Sequence, residues 1–137
     1  MKSSFINHSF AVFIGVVAGL LTLFVIPSQF EIFVWVLLVL IIVVYSLHQF
    51  GSQKRRNILV ISFLTGMAIT LTHLYFIDQY LETHQEEIQA LDKILINNSY
   101  RLTLLIIAPI YWVILGALAT VNMVLIEKII NPIKSNR

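Results

Sequence analysis

The sequence predicts an all-α, polytopic membrane protein with four transmembrane helices plus one extracytoplasmic amphipathic helix, in a single domain over residues 1–137. Three observations predict it. Only 12% of the residues are charged and 58% are hydrophobic, whereas about a quarter of an average globular chain is charged. Four apolar stretches, at about 10–26, 30–49, 58–77 and 102–126, carry no interior charge. Between the third and fourth lies a polar segment with helical periodicity. A mean hydropathy of +0.88 excludes a soluble enzyme, a disordered tail and a nucleic-acid module. The absence of cysteine excludes thiol redox chemistry, disulfide frameworks and thiolate metal sites.

Each element follows from its own residues. A bilayer core of about 30 Å takes roughly 20 helical residues, within about 17–25, and all four stretches fit. In hydrocarbon every backbone N–H and C=O must be paired within its segment. Even the β-branched run 38–44 is therefore expected to be helical. The first stretch is read as an uncleaved span, because only Lys2 precedes it and no small-residue cleavage site follows Phe24. Pro27-Ser28 reads as a turn. Ser28 and Glu31 fit an S-x-x-E capping box opening the second helix, and capping is the expected role of Glu31. Pro109 removes a hydrogen bond to the Leu105 carbonyl, which predicts a kink in the fourth span.

The outer helix is expected at about 79–96. Leu81, Ile88, Leu91 and Leu95 recur on one face, and Glu82, Gln85, Glu86, Gln89 and Asp92 fill the other. Its acidity argues for packing on the protein's own outer end or on a partner, because strongly lipid-binding interfacial helices are rich in Lys and Arg.

Charge predicts orientation. The N-terminus, the second connection and the C-terminus carry Lys2, Lys54, Arg55, Arg56, Lys128, Lys134 and Arg137 against the single acid Glu127. The opposite side carries Lys93 and Arg101 against Glu31, Asp78, Glu82, Glu86, Glu87 and Asp92. The positive-inside rule then puts both termini in the cytoplasm, in a bacterial inner membrane. Lys54, Arg55 and Arg56 act as a topology determinant placed near anionic headgroups.

Helices in a bilayer pack through small residues. The expected packing positions are Ala11, Gly15 and Gly19 in the first span, Ser62, Gly66 and Thr70 in the third, and Gly116 and Thr120 in the fourth. These stripes are expected to face one another, leaving the second span the most lipid-exposed. Trp35 reads as an interfacial anchor and Trp112 as a packing residue. The first and third spans share Phe13/Phe63, Ala18/Ala68, Leu21/Leu71 and Thr22/Thr72 at an offset of fifty, which is compatible with a duplicated hairpin.

The polar residues expected at membrane depth are His73 and Asn122. His73 either makes an interhelical hydrogen bond or responds to protons or a ligand. No carboxylate within a span is available to partner it, which favours the hydrogen bond. His84 and Glu87 are three apart on a helix, but no metal site and no cofactor are expected.

The letters Ser62-Phe63, Tyr75-Phe76-Ile77-Asp78 and the acidic, Gln-rich run Glu82 through Gln89 resemble an uncharacterised bacterial family, domain of unknown function 4199. The resemblance implies a four-helix membrane protein and brings no activity or site. Gln79 stands where many members have Pro. With abundant packing chemistry and no catalytic constellation, the chain is expected to be a structural or accessory subunit and not an enzyme. Its expected partners are the bilayer and a homo-oligomer or larger membrane complex. The alternative is a small transporter or channel oligomer with a polar path near His73.

Overall fold

Apolar runs of this length can satisfy their backbone only as helices, and a computed structural model of the chain is built from helices alone among its described residues. These are 2–49 and 54–135, with side chains described over 7–48 and 57–128. The order is α1 (Lys2–Phe24), a 3-10 turn at Ser28–Phe30, α2 (Glu31–Gln49), α3 (Lys54–Tyr75), α4 (Ile77–Thr83), α5 (Gln85–Asp92) and α6 (Tyr100–Ser135). Four segments are long and apolar enough to cross a membrane: Asn7–Phe24, Ser28–His48, Asn57–Tyr75 and Tyr100–Lys128. This is a membrane protein by length and composition. At 36 residues, α6 is about 54 Å long, and its helix continues unbroken past Pro109.

The α1–α2 link and the polar segment 76–99 share the end of the bundle opposite both termini, called the distal end below. There the chain turns into α6 through Asn97 and Asn98, both left-handed at φ 49° and 53°, a conformation that Asn tolerates better than most residues.

The third helix organises the packing, lying against both α1 and α6, while α2 leans on α6 and α3. Close approach of α1 and α3 depends on missing side chains. A Cβ on Gly15 would stand 2.5 Å from the Thr65 carbonyl oxygen, and one on Gly19 2.9 Å from Thr72 Cβ. Gly66 makes room for the Trp112 ring, and Gly116 lies against Leu59 and Ser62. Ala11, Ile42, Val43, Ile58, Ile61, Ala119 and Met123 form the core nearer the termini. Leu23, Ile77 and Tyr80 close it at the distal end. Phe13, Phe33 and Val113, each about two-thirds exposed, belong to an outer surface too apolar for water.

Two expectations change. The least buried span is α6 and not α2: 22% of its apolar stretch is buried, against 33% for α2 and 50% for α3. The residues that α6 does bury, Thr103, Ala108, Leu115, Ala119 and Met123 among them, recur at four- to seven-residue intervals and form a narrow stripe. The segment expected as one helix over 79–96 is instead two short helices broken at His84, whose backbone (φ −114°, ψ 45°) leaves the helical region. No Gly or Pro explains that break. It coincides with the burial of His84, which is 0% exposed.

Candidate functional site

Most polar side chains within the spans close local or interhelical bonds. Near the termini the Tyr45 hydroxyl donates to Asn7 Oδ1 at 2.6 Å. Thr65 Oγ1 donates to the Ala11 carbonyl across α1–α3 at 3.2 Å, and Trp112 Nε1 donates to Thr70 Oγ1 across α3–α6 at 3.0 Å. Asn122 and Thr120 donate back to Leu118 and Gly116 within α6. Ser62 and Ser46 are buried hydroxyls without a partner. Lys54, Arg55 and Arg56 open α3, and their side chains lie outside the described residues.

The distal end is different. Glu31 begins α2 directly after the 3-10 turn, which points its side chain into the bundle. Its carboxylate does not close a capping box; it accepts from His84 Nε2 at 3.2 Å, with both residues buried. The other ring nitrogen, Nδ1, lies 2.7 Å from Thr83 Oγ1. That hydroxyl uses its one hydrogen on the Gln79 carbonyl at 2.9 Å. With the Thr83 hydrogen so placed, Nδ1 is able to donate as well, as it does in the imidazolium. Burial opposes this charge, but the hydrogen bond and charge of Glu31, with Glu87 beyond it, hold the His84 pKa above its ordinary range. The break between α4 and α5 thus delivers a cation to a buried carboxylate.

The second carboxyl arrives one turn later. Glu87 accepts from the Tyr80 hydroxyl at 2.6 Å and faces the same cavity as Glu31. Two carboxyls on one buried site resist ionising together, so one of them is pushed toward keeping its proton. Burial pushes Glu87 up, the Tyr80 bond opposes, and the Glu31 charge pushes it up again. Glu87 is the proton's holder. Burial, together with the Glu87 charge and hydrogen bond, raises Tyr80 as well, so it stays a phenol.

His73 joins from α3. Its Nε2 lies 3.0 Å from Thr22 Oγ1, which also lies 3.1 Å from the Gly19 carbonyl oxygen. The interhelical bond expected of His73 is present, but the expectation that no carboxylate is near it is overturned. The Glu31 charge acts on it, and its ring lies 5.9 Å from that of His84 and 5.0 Å from that of Tyr80. Tyr80 and His84 stack at 4.4 Å. Among the described residues, no three His, Asp or Glu side chains are arranged to hold a metal ion.

This cluster forms one wall of a cavity of about 330 Å³. Glu31, His73, Tyr80 and Glu87 face it, while Trp35, Trp112 and Tyr111 supply aromatic walls and aliphatic side chains of α3, α5 and α6 supply the rest. Trp35, expected as an interfacial anchor, is half-buried and packed on the core. Of the residues singled out by sequence, His73, Thr70 and Gly66 reach the cavity and Asn122 does not. Glu31, Tyr80, His84 and Glu87 were missed as a site. The only local signal was the His84/Glu87 spacing, because Glu31 lies 53 residues from His84. No protein-family model, no curated protein and no solved structure matches the chain.

Proposed function

We propose that this protein is a small transporter or channel of a bacterial cytoplasmic membrane, with the distal cavity as its solute site. In this reading both termini are cytoplasmic, the cavity opens toward the outer face, and segment 76–99 caps it from outside. The observation that carries the reading is a buried ion pair, with a second carboxyl beside it, at the wall of a cavity. A buried ion pair is a poor source of stability, since well-packed apolar residues do as well or better. Ionisable groups kept at or near membrane depth are functional by default. Their clustering on a cavity with mixed aromatic and polar walls is what a solute site requires. Binding, and not catalysis, is the activity proposed.

The competing reading, a structural or accessory subunit acting by helix packing, draws less support. The small residues that would mediate association with a partner are already used inside the bundle. Gly15 and Gly19 abut α3, Gly66 abuts Trp112, and Gly116 abuts Leu59.

The test is flux. Proteoliposomes with an internal pH dye and an imposed pH gradient are challenged in turn with small organic cations, organic anions and neutral solutes. At least one class should collapse the gradient faster than in protein-free liposomes, and Glu87→Gln should abolish that difference. A wild-type chain indistinguishable from empty liposomes with every class removes the transport reading.

A further inference from the structure

The cavity walls say which class of solute they suit. Among the described residues no Lys or Arg lines the cavity, whereas two carboxyls do. The indole N–H of Trp112 is committed to Thr70, so Trp112 brings the cavity an aromatic ring and no free donor. Trp35 of α2 and Tyr111 of α6 add two more aromatic rings to the lining. Aromatic faces beside carboxyl groups attract cations and repel anions. The remaining walls, Ile69 and Leu104 among them, favour an apolar body. About 330 Å³ lies at the small end of ligand pockets.

We propose that the distal cavity takes a small organic monocation with an aromatic or branched alkyl body, bound in exchange for one proton from the two carboxyls, Glu31 and Glu87, that face it. The proposal rests on the solute-site reading above and names its ligand class. Without ligand the cluster is balanced: the Glu31 carboxylate faces the His84 imidazolium, and Glu87 carries its proton. An entering cation adds a positive charge to a desolvated site. The balance is restored when the Glu87 O–H bond breaks, the electron pair stays on the carboxylate and the proton leaves to water. One cation enters and one proton departs, with no net change in charge. The groups that set this exchange come from every neighbouring element: Thr22 of α1, Glu31 of α2, His73 of α3, Tyr80 of α4, His84 at the junction and Tyr111 of α6.

The chain reports its own occupancy, because both of its tryptophans, Trp35 and Trp112, line the cavity. The experiment uses the full chain in nanodiscs, with empty nanodiscs subtracted. Tryptophan fluorescence follows titration with benzyltrimethylammonium, with its neutral isostere neopentylbenzene, and with the anion phenylmethanesulfonate. Calorimetry in buffers of differing ionisation enthalpy counts protons. The cation should bind at least about tenfold more tightly than either comparison compound, as a desolvated cation–π contact implies. It should release about one proton, and its affinity should rise up to about tenfold per pH unit where Glu87 holds that proton. Glu87→Gln should lose the proton release and most of the preference.

Equal binding of the isostere, or cation binding without proton release, would overturn the proposal using the wild-type chain alone. Cation binding with proton release but no solute-driven flux would sink the transport reading and leave the cation site standing. Flux with anions or neutral solutes, and no cation binding, would do the reverse.

Discussion

His84 is the residue on which the distal end turns. It is buried, bonded to Glu31, and held toward its charged form by that carboxylate. Removing one partner of a buried pair leaves the other uncompensated, typically at about 3–5 kcal/mol. His84→Gln should therefore destabilise the chain by about 3 kcal/mol in thermal unfolding in mild detergent. The pH dependence has a definite sign. A histidine whose folded pKa lies above its ordinary 6.5 contributes stability that is fully present below 6.5 and fades as pH rises through the folded value. The deficit of His84→Gln should be largest below pH 6.5 and shrink in alkali. Glu87 is raised above 4.5 by burial, so ionising it costs stability as pH climbs from 4.5 through its folded value. Glu87→Gln should accordingly gain on the wild type with rising pH. A gap that is constant from pH 5 to 9 in both variants would show that neither group titrates with folding.

At the scale of elements, helix contact depends on which glycine is asked to carry a side chain. A methyl on Gly15 would meet the Thr65 backbone carbonyl at 2.5 Å and Ala68 Cβ at 2.7 Å, neither of which can rotate away. Gly15→Ala should force α1 and α3 apart and cost about 2 kcal/mol, within the usual range for overpacking. A methyl on Gly116 would be tight only against the end of the Leu59 side chain, at 3.2 Å, with Ser62 Cβ at an ordinary 3.6 Å. The Leu59 end can move, and Ala gains up to about 1 kcal/mol over Gly in a helix interior. Gly116→Ala should thus be neutral to slightly stabilising; paired unfolding measurements check both. The small-residue stripes from which this argument starts were legible in the sequence, as were the four spans, because both are written in local periodicity. The α4–α5 break was not. Its residues are helix-compatible, and what interrupts them is a bond from His84 to a carboxylate 53 positions away. For the same reason Glu31, three residues after Ser28, reads as a cap until the fold supplies a better partner. The apolar pattern of segment 76–99 shows that it packs, but not that it carries half of a site.

For the whole molecule, function depends on which face of the membrane the cavity opens to. The seven basic residues at the end with the termini and second connection, against two at the distal end, are the asymmetry from which the proposed orientation follows, since cytoplasmic loops retain Lys and Arg. The acids do not weigh equally in that rule, yet here they have their own use, because Glu31 and Glu87 are drawn into the distal cluster. One distribution of charge would then both orient the chain and supply its site. A phosphatase active only outside the cytoplasm, fused after Asn97, should be active, and the same enzyme fused after Ser52 should be silent. The reverse pattern would turn the cavity toward the cytoplasm. The cation would then be gathered from inside the cell, and the exchanged proton would be released there. Neutralising Lys54, Arg55 and Arg56 together should weaken the contrast between the two fusions, because it removes three of the seven basic residues on which the orientation depends. An unchanged contrast would assign orientation to the remaining basic residues near the two termini.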